Sequence, residues 1–534
     1  MFNDGGTLYN AGRDLNIFEE GERGLFALLQ ATSPAAAYDA GARYPPPLCH
    51  PGTRKAVLRD LDGWADRSTD NHSSIQWLYG PAGAGKSAIA QTFAQSCAEN
   101  SMLIGSYFFW RSDSTRNNPQ RLFTTIALQM AISIPELRPL INIAVLEDPL
   151  AITSSIEKQA DALIIRLWLK SLINQVDSIR RERRRACVFI IDGLDECADS
   201  HDQESLLSIL ASIIHRCGDS IRILVCSRPE PRIKESFLGP ELSDICRWMC
   251  LGDTFEASND IRRFLVDGFR RILTRHSLSM QDILRPWPTS QQIEYLVQKS
   301  SGQFIYASTV LSYLDEDGDV PAERLKVVVG LSIDDYAGRD APFAELDALY
   351  HQILSTVINQ ASMLRVLAAR MVFNDESTSS TDSSRQFIQL LNIPLGSLHA
   401  TFSSLHSLFK DPSPVESGFK FCHASFPDFL LDRRRSLHFH IKITSGHEYL
   451  AQCCLKQYNI TQVPVALPDS TVYSRRNWCY HSLRARGTSI ERTCDPVPIL
   501  STLCCALPSN CTVRRGLAVA ACVPLSRGIG ALGY

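Results

Sequence analysis

The chain has no run of about 18 consecutive apolar residues, the length a helix needs to cross a bilayer. The nearest candidate, GLAVAACVPL at 516–525, is short and is soon followed by Arg527. The opening MFNDGGTLYNAGRDLNIFEE lacks the charged start and apolar core of a signal peptide. Basic charge is not in excess either. With 54 Lys and Arg against 57 Asp and Glu, the net charge is −3, so no broad positive field invites nucleic acid or an anionic membrane. The 17 cysteines are scattered, odd in number and free of C-x-x-C spacing. That pattern speaks against a zinc site or a disulfide framework and for reduced, mostly buried thiols in the cytoplasm. No repeat of 20 to 50 residues is visible, which speaks against a solenoid or a propeller.

What is present is a globular composition, 45% hydrophobic and 21% charged over 534 residues. That is too long for a single core and suggests three or four domains of about 150 residues. Residues 1–30 form a Gly/Asn-rich segment whose first twenty residues read as a short hairpin or disorder. Residues 31–54, rich in Ala, Pro and Gly, read as a linker. From 55 to 250, strand-like runs (SIQWLYG, LIGSYFFW, CVFIID, IRILVCS) alternate with helical patterns. This order predicts an α/β fold, a parallel sheet flanked by helices. After 255 the strands stop. Segments such as NDIRRFLVDGFRRIL show apolar residues at helical spacing over 255–335 and again over 340–440. Residues 441–534 form a tail whose last part loses periodicity.

Between the first strand and its helix lies GPAGAGKS, which fits G-x-x-x-x-G-K-[ST]. Gly80, Pro81, Ala82, Gly83, Ala84 and Gly85 are small enough for backbone N–H groups to ring phosphate oxygens. Lys86 supplies a cation for the β/γ-phosphates and Ser87 a hydroxyl for Mg²⁺. Ala88 sits in the first turn of the helix, whose positive end faces the anion. The pattern implies ATP/ADP with Mg²⁺.

The run RRRACVFIIDGLDEC places three carboxylates just after a buried strand, Asp192, Asp195 and Glu196. Asp192 falls where a metal would need a second ligand. Asp195 and Glu196 are candidates for orienting or deprotonating a water. Helix capping is the plainer use of the same two acids. IRILVCSRPEP delivers Arg228 to the same sheet edge, where a guanidinium can sense a γ-phosphate. The basic run RRERRR at 180–185 reads as a solvated helix end. Arg262, Arg263, Arg270 and Arg271 read as a solvated helix face.

Together these segments resemble the NACHT-domain proteins of the STAND class of nucleotide switches. More narrowly, they resemble the NLR-like NACHT family of mushroom-forming fungi. GPAGAGKSAIAQTFA, FIIDGLDEC, CHPGTR, CSRPEP, SGQFIYASTV and FAELDALYHQIL carry the resemblance over about residues 45–435. It implies a nucleotide-binding domain (55–250), a helical lid (255–335) and a winged-helix-like domain (340–440) that closes over ADP. It also implies that His423, in FCHASFPDFLLD, reaches the β-phosphate. Slow hydrolysis would reset the switch, and the active form would be a homo-oligomer. Two other classes fit the same loop and sheet. One is a turnover P-loop ATPase or kinase, and the other a scaffold whose nucleotide is structural.

Overall fold

The computed structural model describes residues 22–66, 73–111, 113–174, 187–252, 255–316, 319–331, 343–373, 380–402, 405–409, 415, 419, 421, 423–460 and 469–485. The first twenty residues, read as a short hairpin or disorder, the RRERRR run and the last part of the tail lie outside them. The chain divides into two compact units. One comprises Met1–Leu364, Phe373–Arg385 and Pro394–Ile441, the other Arg365–Val372, Gln386–Ile393 and Lys442–Tyr534.

The larger unit is built on five parallel strands, β1 (Ile75–Tyr79), β2 (Leu103–Phe108), β3 (Cys187–Asp192), β4 (Ile221–Ser227) and β5 (Cys246–Cys250), in the order β2-β3-β4-β1-β5. β3 and β4 are buried along their whole length. Their near-continuous apolar sequence follows, because a parallel sheet covered on both faces has no solvent side to keep polar. Alternate residues serve opposite cores. Trp77, Phe189, Ile191, Ile223 and Val225 enter one core with the helix Leu122–Ser133. Leu78, Val188, Ile190, Leu224 and Cys226 enter the other with the helices Lys55–Ala65 and Lys86–Glu99. Most of the free cysteines among the described residues are buried, the role expected for them.

β5 escapes a reading by hydrophobic runs. Its CRWMC is short, and only its first residue is buried. The segment 31–54 also differs from a linker. Arg43 lies 3.4 Å over the Phe108 ring, and Arg54 donates from Nη2 to the Ala84 carbonyl at 2.7 Å. The Tyr38 N–H donates to Ser106 Oγ at 3.0 Å. Its Ala/Pro composition conceals packing made by a few long side chains and by backbone.

Beyond the sheet the larger unit is helical. Phe255–Arg275, Ser290–Ser300, Phe304–Leu314, Pro321–Gly330, Ala344–Ser355, Leu395–Phe402 and Ser425–Leu431 are its main helices. Among the described residues after 255, the one β-bridge joins Phe409 and Phe421. Arg262 pairs with Glu294 at 2.6 Å and Arg270 with Asp267 at 2.6 Å, as suits a solvated helix face.

The first part of 441–534 is helical in the smaller unit. Ile443–Ile460 and Asp469–Arg484 are helices that run antiparallel, with His447 against His481 (2.9 Å) and Ser470 against Gln457 (3.0 Å). Leu450, Ala451, Cys453 and Cys454 supply their buried face.

Candidate functional site

The candidate site lies at the carboxyl ends of β1, β3 and β4. The loop after β1 fits tightly among its neighbours. A Cβ on Gly80 would stand 2.6 Å from the Leu251 carbonyl oxygen, and one on Gly83 would stand 2.0 Å from Ile305 Cγ2. Gly83 also has φ +77°, a conformation that L side chains avoid. The Ile305 N–H donates to the Gly83 carbonyl at 3.3 Å, so the start of the helix Phe304–Leu314 rests directly on the loop. Gly85 caps the helix Lys86–Glu99, and Ala88 lies in its first turn.

Lys86 folds back over the loop and donates from Nζ to the carbonyls of Gly80 (2.8 Å) and Pro81 (2.9 Å). Burial lowers the pKa of its ammonium, and Asp195 and Asp192 oppose that shift. Ala82 and Ala84 are buried beside it.

Asp192 ends β3 and is 4% exposed. Burial pushes its carboxyl up to about 6, against the Ser87 hydroxyl that hydrogen-bonds to it and the cations Arg43 and Lys86. Its Oδ1 is buried and has no hydrogen-bond partner. A buried carboxylate oxygen left unsatisfied is costly. Here it stands beside a hydroxyl and a phosphate-type loop, the donor set that suits a hard cation such as Mg²⁺.

β4 lies between β1 and β3, so Arg228 leaves the sheet between the loop and the acids. Asp195 is committed to it. One oxygen accepts the Arg228 N–H at 2.9 Å, and the other pairs with Nε at 3.1 Å. Glu196 accepts the Arg111 N–H at 3.0 Å through Oε2. Burial and then the charge of Asp195 push its carboxyl up to about 7. The protonation of Glu196 therefore changes near neutral pH.

His423 and Asp428 arrive from the segment 423–431 of the same unit. The Ser425 N–H donates to His423 Nδ1 at 3.0 Å, and the Ser425 hydroxyl lies 2.8 Å from the same nitrogen. A backbone N–H only donates, so Nδ1 is the acceptor and the ring proton sits on Nε2. Burial, with Arg228 and Lys86 nearby, pushes the imidazole down to about 4 and keeps it neutral. Asp428 Oδ2 lies 2.6 Å from Arg228 Nη2, and Oδ1 lies 3.3 Å from Arg111 Nη1. Burial opposes the charge of Arg228, but Asp428 and Asp195 outweigh it and raise its pKa.

Lys86, Ser87, Asp192, Asp195, Glu196, Arg228 and His423 are therefore brought to one sheet edge. Three participants escaped the sequence reading, Arg43, Arg111 and Asp428. Arg111 had a usable signal, since it closely follows β2, the neighbour of β3. Asp428 sits in the FPDFLLD stretch beside His423, where an acid among aromatics reads as a helix-surface residue. Arg43 gave no signal within its Ala/Pro-rich surroundings.

A family model described as Nephrocystin 3, N-terminal, matches residues 52–228, a span that runs from before the loop to Arg228. No match is found among curated proteins. Among solved structures, Drosophila ORC bound to poly(dA/dT) DNA and Cdc6 is 13% identical with a TM-score of 0.24, covering 80% of this chain and 65% of that one. Drosophila ORC bound to AT-rich DNA and Cdc6 is 12% identical with a TM-score of 0.22, covering 91% and 74%. The chain thus spans just under two thirds of the first of these, and superpositions this poor decide nothing about the site. Among the described residues no helix is long and apolar enough to cross a membrane. The parallel sheet, its helices and the loop geometry make this a P-loop NTPase-like α/β fold.

Proposed function

We propose that the chain is a NACHT-like, ATP/ADP-dependent switch of the STAND type, with a helical lid and a winged-helix-like region around its nucleotide. The observation that carries the reading is the meeting of two sets of groups. Lys86, Ser87, Asp192 and Arg228 come from the sheet edge. His423, a neutral imidazole with its proton on Nε2, comes from the segment 423–431. Asp428 of the same segment pairs with Arg228 at 2.6 Å.

In this reading the loop 80–87 holds the phosphates through backbone N–H groups and Lys86. Ser87 and the unpartnered oxygen of Asp192 would hold Mg²⁺, which when bound neutralises phosphate charge. Glu196 holds or releases a proton beside a water, and Asp195 positions Arg228. The Nε2–H of His423 is free to donate to a phosphate oxygen. A turnover kinase would need open access to the terminal phosphate. Here Asp428 already engages Arg228, which favours a switch held closed.

Lys86→Ala tests the phosphate role. Isothermal titration should show ADP and ATP binding lost or weakened by at least about tenfold, the loss expected for one buried charge-assisted contact. Retained affinity for both nucleotides, or a wild-type chain that binds neither, would overturn the reading. Steady-state hydrolysis faster than about one per second, near typical enzyme rates, would instead favour a turnover ATPase.

A further inference from the structure

Two guanidiniums flank the acidic end of β3. Arg111 follows β2 and Arg228 follows β4, and these strands are the two neighbours of β3. One carboxylate bridges them. Asp428 offers one oxygen to Arg228 at 2.6 Å and the other to Arg111 at 3.3 Å. The Asp428 and Arg228 side chains are 16% and 24% exposed, so screening by water is partial. Both arginines also touch Asp195, Arg111 through the carbonyl at 3.0 Å and Arg228 through the carboxylate. The pair is therefore held in place whether or not Asp428 is present.

We infer that Asp428 occupies the terminal-phosphate position on the Arg111–Arg228 pair, and so makes the site discriminate against a nucleoside triphosphate in favour of a diphosphate. This rests on the nucleotide reading above. A terminal phosphate carries more charge than a carboxylate and has three oxygens, so it satisfies two guanidiniums better. It cannot share them with Asp428, because two like charges on one cationic pair repel. A diphosphate lacks that group and leaves Asp428 where it is. Triphosphate binding then has to displace the helix Ser425–Leu431, and with it the backbone that orients His423. Asp428 is a specificity residue here and touches no reacting bond.

The experiment measures the affinities of ADP and of a non-hydrolysable ATP analogue, both with Mg²⁺, on the full chain by fluorescence titration. Asp428→Asn should raise triphosphate affinity about tenfold, the scale of one charge-assisted contact, while changing ADP affinity less than about twofold. An unchanged ratio of the two affinities overturns the inference and leaves nucleotide binding intact. A wild-type chain that binds neither nucleotide overturns both readings, which separates the two failures. Should Asp428→Asn not fold, hydrogen exchange on the wild-type chain decides. The amides of 425–431 should exchange faster with the triphosphate analogue than with ADP, and equal rates overturn the inference.

Discussion

At the residue scale, the three acids after β3 are chemically distinct even though the sequence places them side by side. Asp192 is buried with one open oxygen, Asp195 is bound to Arg228, and Glu196 sits with its carboxyl raised to about 7. The shift has a definite consequence for stability. The folded pKa lies above the ordinary value of 4.5, so the folded state holds a proton that the unfolded chain has released. The contribution of Glu196 is fully present below about pH 4.5 and is lost as pH rises through about 7. Glu196→Gln keeps the acceptor for the Arg111 N–H and removes the charge. Its melting temperature should exceed that of the wild type at pH 8, and the gap should shrink toward pH 5. Any slow hydrolysis by the wild type should rise with pH through about 7, and the variant should show no such rise. A pH-independent wild-type rate would remove Glu196 from that role.

At the element scale, the strand under the phosphate loop is tied to the strand that delivers Arg228. Trp77 of β1 stacks on Phe237 at 4.3 Å and on Tyr79 at 4.4 Å, and its Nε1–H donates to Ser227 Oγ at 2.8 Å. Ser227 immediately precedes Arg228, so this one indole links the core to the position of Arg228. Trp77→Phe keeps most of the aromatic packing and leaves the buried Ser227 hydroxyl without its donor. We expect a loss of about 1–3 kcal/mol of stability, read by urea titration, the cost of a buried group left unpaired. A loss below about 0.5 kcal/mol, the range of ordinary surface substitutions, would show that the hydroxyl finds another partner. The loop is braced on further sides, by Ile305 against Gly83 and by Arg54 on the Ala84 carbonyl. Segments before and after the sheet thus shape a loop that its own sequence only outlines.

At the scale of the larger unit, the segment 423–431 reaches the sheet edge from some 200 positions beyond Arg228 in sequence. Such a contact suits the proposed switch, in which one carboxylate and one imidazole would report nucleotide state to a distant element. If exchange to a triphosphate analogue frees that segment, new surface is exposed. Light scattering after size exclusion should then show a larger species with the analogue than with ADP. A monomer in both states would separate nucleotide sensing from assembly. Low net charge does not oppose self-association, since −3 over 534 residues generates little long-range repulsion.

Elements whose chemistry is local were legible in the amino-acid sequence. GPAGAGKS marks a phosphate loop because small residues and a lysine are needed at fixed offsets. The paired apolar faces of CVFIID and IRILVCS mark buried parallel strands because period-2 alternation disappears when both faces are covered. Asp192 and Arg228 were legible because each closes such a strand. Features that depend on strand order and on distant segments took shape only in the folded chain. β4 had to insert between β1 and β3 before Arg228 could stand between lysine and acids. Arg43 and Arg54 had to fold in from an Ala/Pro-rich stretch, whose composition records backbone preference and carries no sign of one long side chain finding a ring or a carbonyl. β5 was missed because a half-exposed edge strand need not be apolar. The tie of Asp428 to Arg111 and Arg228 was invisible for the same reason, since an ion pair between residues hundreds of positions apart leaves no periodicity in either segment.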